Sequence, residues 1–168
     1  MLIVRLVQLT DQEWRRLRAI RLRALSDAPD AFGSTLKEAI PRPPEAWSKQ
    51  LTDLPTFVAV CDGLDVGMVR GARDTGRART AWLISMWVAP AWRSKGVGGA
   101  LVDAVIDWAR SSNVDRLLLD VVDDNNPAIA LYARKGFEPN GEVSALPPPR
   151  QHIREHQREL RISASGAD

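Results

Sequence analysis

The sequence predicts a mixed α/β fold, with a sheet built around a three-strand meander and flanked by about four helices. Three observations predict it. Apolar residues recur at helical spacing in separate segments near 10–27, 43–51, 96–110 and 127–135. TFVAVCD, DVGMVRGAR and TAWLISMWV are rich in β-formers and joined by the short turns Gly63-Leu64 and DTGRAR. DRLLLDVV, 115–122, is the near-continuous apolar run of a strand covered on both faces, and it lies between two helical patterns.

In chain order, LIVRLVQ at 2–8 predicts a first strand, and Thr10 with Glu13 forms a capping box that opens a helix. Trp14, Leu17, Ile20, Ala24 and Leu25 make its apolar stripe, and Asp27-Ala28-Pro29 ends it. Arg15, Arg16, Arg18, Arg21 and Arg23 read as its solvated face. Residues 30–44 are irregular, and Pro43-Pro44 start a short second helix through Leu51. After the meander a helix runs from Gly96 to Arg110 with Val97, Leu101, Val105, Ile106 and Ala109 inward. A last helix, Pro127 to Lys135, is closed by Gly136 at its C-cap. HIREHQREL reads as a final strand, LPPPR as a loop and SASGAD as a frayed end.

At 168 residues, 45% hydrophobic and 26% charged, the chain is expected to form one domain over 1–168. Its 23 basic and 21 acidic residues leave a net charge of +2, too little to predict a nucleic-acid or membrane surface. One cysteine, Cys61, excludes an internal disulfide and a thiolate-rich zinc site, and its strand context reads as core. No metal site is expected. With no apolar leader or spanning run, a cytoplasmic protein is expected.

The densest chemical signal is Arg93-Ser94-Lys95-Gly96-Val97-Gly98-Gly99, between the strand TAWLISMWV and a helix. A helix N-terminus presents unpaired N–H groups and partial positive charge, and glycines admit a phosphate close to that backbone. A turn that binds nothing is the plainer reading of the same residues. Ala100-Leu101 stand where a Walker loop needs Lys-Ser/Thr, and the third glycine of a dinucleotide fingerprint is missing.

Val88, Pro90, Arg93 to Gly98 and Ala100-Leu101 resemble the acetyl-CoA-binding signature of the GNAT superfamily of N-acetyltransferases. Asn125-Asn126-Pro127-Ala128, Leu131-Tyr132 and Gly136-Phe137 resemble that family's later motif. The two occur in order, and the resemblance is clear over about 80–137. It implies a GNAT-like mixed, twisted, mostly antiparallel sheet splayed between the fourth and fifth strands, with acetyl-CoA as cosubstrate in the gap. By the same resemblance Arg93, Lys95, Gly96, Val97, Gly98 and Gly99 hold the pyrophosphate. Trp87 and Val88 hold the pantetheine arm, Asn125 bonds it or caps the next helix, and Arg134 reaches the phosphates or solvent.

The implied activity is direct acetyl transfer to a primary amine of a small molecule or of a peptide or protein, with Tyr132 as general acid. A non-catalytic acyl-CoA sensor is the alternative, and an arginine-rich nucleic-acid module is a third reading. Many family members carry a glutamate on the fourth strand; RTAWLISMWVAP offers only Ser85. Glu38 is therefore the favoured general base, with Asp30, Asp120, His152, Glu155 or a water chain as alternatives. Phe32 and Trp47 are expected to line the acceptor pocket, within about 10–55. A homodimer through the sheet edges is also expected to be open to this chain.

Overall fold

The computed structural model describes residues 2–163; the end of the SASGAD segment, 164–168, lies outside them. Twelve elements follow one another: β1 (Arg5–Gln8), α1 (Trp14–Asp27), α2 (Leu36–Ala39), α3 (Pro44–Asp53), β2 (Thr56–Cys61), β3 (Leu64–Arg73), β4 (Thr80–Val88), α4 (Val97–Ser111), β5 (Arg116–Val122), α5 (Asn126–Arg134), β6 (Glu138–Ala145) and β7 (Arg154–Arg161). They form a seven-stranded sheet in the order β1-β2-β3-β4-β5-β7-β6. Its pairings are antiparallel except for β4 with β5. The expected fold is the observed one, with five helices because the irregular segment folds one extra turn, α2.

Local chemistry accounts for these elements. The Thr10 N–H donates to Glu13 Oε1 at 3.0 Å, and a 3-10 turn at Asp11–Glu13 leads into α1. Pro44 opens α3, where a missing N–H costs nothing. Asp62 and Gly63, with φ of 51° and 74°, make the two-residue turn between β2 and β3, one position earlier than the sequence suggests.

Two cores sit on opposite faces of the sheet. Leu101, Val105 and Ala109 of α4 pack with Leu83, Leu117, Leu119 and Val121, and Tyr132 and Phe137 close that side. On the other, Leu17, Ile20, Ala24 and Leu25 of α1 pack with Trp47, Val58, Met68 and Trp87. The meander supplies both because strand side chains alternate. Helix α4 lies so close over β3 that a Cβ on Gly71 would fall 2.5 Å from Cζ3 of Trp108.

Strand β6 corrects the sequence reading, which places no strand over EPNGEVSA. Among the described residues it is an edge strand pairing with β7 alone, with nearly every residue exposed and its register broken between Pro139 and Val143. Without a buried face it carries no alternating apolar signal.

Candidate active site

Strands β4 and β5 pair only at Thr80↔Arg116, Ala81↔Leu117 and Trp82↔Leu118. Beyond Trp82, β4 continues to Val88 with no partner on that edge among the described residues, while β5 stays paired with β7 along its whole length, through Val122↔Glu155. The sheet therefore opens into a V. Ala89 donates to the Val66 carbonyl on β3, so Val88, one residue back, turns its peptide toward the open edge. Opposite Val69 the register slips, and Ser85 there has a φ of 59°.

Helix α4 begins at the mouth of this gap. Gly96 is its N-cap at φ 87°, with open space where a Cβ would stand, and Val97, Gly98 and Gly99 form the first turn, whose N–H groups precede the first intrahelical bond. Gly98 has a packing reason of its own: a Cβ would lie 2.9 Å from Leu131 Cδ2 and 3.3 Å from Met86 Cε. The glycine lets the α4 turn nest against α5 and β4. At Gly99 a Cβ would meet only the Lys135 side chain, at 3.5 Å. Lys95 is exposed, with Nζ 5.5 Å from the Trp92 ring, and Arg134 is exposed on the last turn of α5.

Arg93 is engaged within the protein. Its Nε donates to the Val88 carbonyl at 2.9 Å and its Nη2 to Asp27 at 2.6 Å, while Trp87 Nε1 donates to the same carboxylate oxygen at 2.9 Å. The indole bond and then the guanidinium hold Asp27 below the usual carboxylate range. The set pins the end of β4 to the end of α1. Asn125 caps α5, its Oδ1 accepting from the Ala128 N–H at 3.4 Å.

Tyr132 is buried on α5, edge-to-face with Phe137 at 5.8 Å between ring centroids. Burial pushes its phenol pKa above the ordinary value. Such a phenol stays protonated near neutral pH and offers a hydrogen bond, while the same rise makes it a weaker acid than an ordinary tyrosine.

The face under α1–α3 holds the remaining candidates. Glu38 is exposed, its N–H bound by the Thr35 hydroxyl at the start of α2. Asp120 on β5 pairs in register with Gln157, two residues from Glu155 on β7, so Asp120 and Glu155 share a sheet face. Burial raises both carboxyl pKa values, and Asp120 adds to the rise at Glu155. His152 is exposed. Arg150 donates to the carbonyls of Pro29 at 2.6 Å and Gly33 at 2.9 Å, tying the LPPPR loop over the segment after α1.

Three arginines gather on this side. Arg70 of β3 is buried, its Nε and Nη2 donating to Ser85 Oγ at 2.9 and 2.6 Å and its Nη1 to Gln50 Oε1 at 2.7 Å. Arg21 of α1 is 4% exposed, its guanidinium 4.7 Å from the Phe32 ring centre and its Nη1 sealed without a partner. Arg42 lies over Trp47 at 5.3 Å. Phe32 and Trp47 thus form the floor of a cationic cluster, Trp47 fully buried.

The acetyltransferase (GNAT) family model matches residues 14–137. The L-amino acid N-acetyltransferase AaaT of Escherichia coli K12 is 32% identical over 129 residues, covering 71% of this chain and 76% of that protein. The chain belongs to the GNAT acetyltransferase family. Its fold overlays the GNAT acetyltransferase of Streptococcus pneumoniae with a TM-score of 0.80 at 21% identity, covering 96% of this chain and all (100%) of that one. It also overlays yncA of Salmonella typhimurium, solved with its cofactor acetyl-CoA, with a TM-score of 0.76 at 18% identity, over 100% and 98% of the two chains.

For a GNAT protein the donor-side residues named from sequence converge on one place: Val88, Lys95 and Gly96 to Gly99 border the V. Arg93 and Asn125 are adjacent to it but already bonded within the chain. Arg21, Arg42, Arg70 and the Ser85 bulge were missed. Arg21 had a readable signal, since it falls four residues after Leu17 and four before Leu25, on the apolar stripe.

Proposed function

We propose that this chain transfers an acetyl group from acetyl-CoA to a primary amine bound on the α1–α3 face of the sheet. The carrying observation is the unpaired edge of β4 beyond Trp82, opening beside the glycine-lined first turn of α4. The residues fit the group: open space over Gly96, first-turn N–H groups and Lys95 suit a diphosphate, and the turned-out Val88 peptide suits an extended amide arm.

Acetyl-CoA supplies an activated acetyl group as its thioester. The chain's part is to hold that carbonyl and the amine together, to take a proton from nitrogen and to give one to sulfur. Tyr132 donates to the sulfur. Asp120 and Glu155 take the amine proton in place of Glu38, because desolvation raises both carboxyl pKa values and makes them stronger bases than ordinary carboxylates. Arg93 shapes the strand end. At 32% identity the Escherichia coli relative's name alone leaves this chain's acceptor open, because acceptor pockets are where members of one fold diverge.

Calorimetry of acetyl-CoA binding to wild type and to Gly99→Glu tests the donor half. A glutamate at this third helical position suits the helix dipole and meets only Lys135, so the fold is retained while a negative charge opposes the diphosphate. A loss of about tenfold or more in affinity is expected, and equal affinities would refute the loop assignment. Thiol release with a panel of amines then separates the transferase from a non-catalytic sensor, which binds acetyl-CoA and releases none.

A further inference from the structure

We propose that Arg21, Arg42 and Arg70 form an anion subsite for the carboxylate of a small amino acid, so that the acceptors carry both a primary amine and a carboxylate. The assignment rests on acetyl transfer to an amine at this same face and names the class of that amine.

Buried cations are normally paired with anions, because an isolated charge loses its hydration without return. Arg21 and Arg70 are 4% and 6% exposed, and neither is among the ion pairs of the described residues, which bring Arg16, Arg93 and Arg116 within 4.0 Å of a carboxylate. Arg70 rests on two neutral acceptors, Ser85 and Gln50. Arg21 has an aromatic ring beneath it and an Nη1 that is buried with no partner.

Electrostatics agree with this geometry. Burial and the neighbouring cations push Arg70 down to about 9, and burial with Arg42 pushes Arg21 to about 10. The three charges are close enough to repel one another. A carboxylate bound to the free fork of Arg21 would satisfy the sealed donor and relieve the repulsion, and a planar fork matches a planar carboxylate in two parallel hydrogen bonds.

Ser85, which takes two hydrogen bonds from Arg70, lies on the unpaired stretch of β4, so the anion subsite adjoins the donor gap. In the reaction the acceptor's ammonium group first loses one proton to solvent. The nitrogen–carbon bond then forms as the carbon–sulfur bond breaks; the second proton passes to Asp120 or Glu155, Tyr132 protonates the sulfur, and the carboxyl then gives up its proton to solvent as the phenolate regains one. The products are an N-acetyl amino acid, coenzyme A and one released proton.

Thiol-release kinetics on L-amino acids, their amides and their decarboxylated amines tests this directly. At least one amino acid is expected to exceed its own amide and amine by about 100-fold or more in kcat/KM, and Arg21→Met to cut that ratio at least about tenfold. Without acceptor, Arg21→Met is expected to melt at or above the wild-type temperature, because it removes a buried charge that lacks a partner; a structural arginine would instead lower it. Amines accepted equally with and without a carboxylate would overturn the subsite and leave the acetyltransferase standing. If no acceptor turns over, calorimetry of N-acetyl amino acids with coenzyme A present decides. Binding lost in Arg21→Met supports the subsite, and no binding by any of them overturns it.

Discussion

Replacing Gly71 by alanine tests the contact that positions α4 on the sheet. The new Cβ would stand 2.5 and 2.6 Å from Cζ3 and Cε3 of Trp108, where carbon atoms prefer about 3.5–4.0 Å. A gap of about 1 Å must therefore open between a strand backbone and a rigid indole. Overpacking of this kind costs about 1–3 kcal/mol, and the entropy recovered by removing a strand glycine offsets about 0.5–1 kcal/mol of it. The net loss is about 1–2 kcal/mol, or about 2–8 °C in Tm for a chain of this size. Thermal melts of Gly71→Ala, Trp108→Leu and the double variant make the assay. Shrinking the ring removes the clash, so the double variant should be more stable than additivity predicts by about 1 kcal/mol. A Gly71→Ala protein as stable as wild type, or additive losses, would refute the reasoning.

Tyr132→Phe keeps the ring stacked on Phe137 and removes the donor, so kcat should fall about 100-fold or more with affinity for acetyl-CoA unchanged; an unaltered kcat would remove the proton-donor role. Because burial raises Asp120 and Glu155, both protonate above the ordinary carboxylate range, and activity should fall as pH drops through those raised values. Asp120→Asn removes a charge that raises Glu155, so it should move this acid limb downward, and a limb fixed in both Asp120→Asn and Glu155→Gln profiles would exclude the pair as base. Asp27 is held low by Trp87 and Arg93, so its stabilisation is present above the ordinary carboxylate pKa and lost as pH falls through the folded value. Asp27→Asn should cost under about 1 kcal/mol near neutral pH, the pair being partly exposed, and urea midpoints should converge with wild type in acid; a constant gap would refute the assignment.

The elements around the candidate donor site are legible in the sequence because they carry local signals. Helix α4 shows its period through Val97, Leu101, Val105 and Ala109, and Gly96 occupies a left-handed cap that punishes other residues. The acceptor half is not, because its features depend on partners far along the chain. Gln50 and Ser85 lie 20 and 15 residues from Arg70, and no periodicity in either segment announces a meeting. Arg21 reads from sequence as part of a solvated face because the arginine-rich composition outweighs its position on the stripe. Strand β6 exists through β7 alone, and an exposed edge leaves no pattern in its own residues.

The two departures on the acceptor side explain each other. Where the family resemblance implies a glutamate on the fourth strand, this chain offers only Ser85, held at a left-handed φ of 59° that costs about 1–3 kcal/mol and needs support. Arg70 gives that support with two hydrogen bonds from one guanidinium. A glutamate at Ser85 would have met the same guanidinium, quenching the arginine and depressing its own pKa, and so would have been spent as both base and anion partner. With a hydroxyl there instead, Arg70 keeps its charge available. The basic carboxylates then stand across the gap on β5 and β7, where burial raises their affinity for a proton. An acceptor whose negative end answers the arginines and whose amine answers the carboxylates is the guest for which this separation of charge is useful.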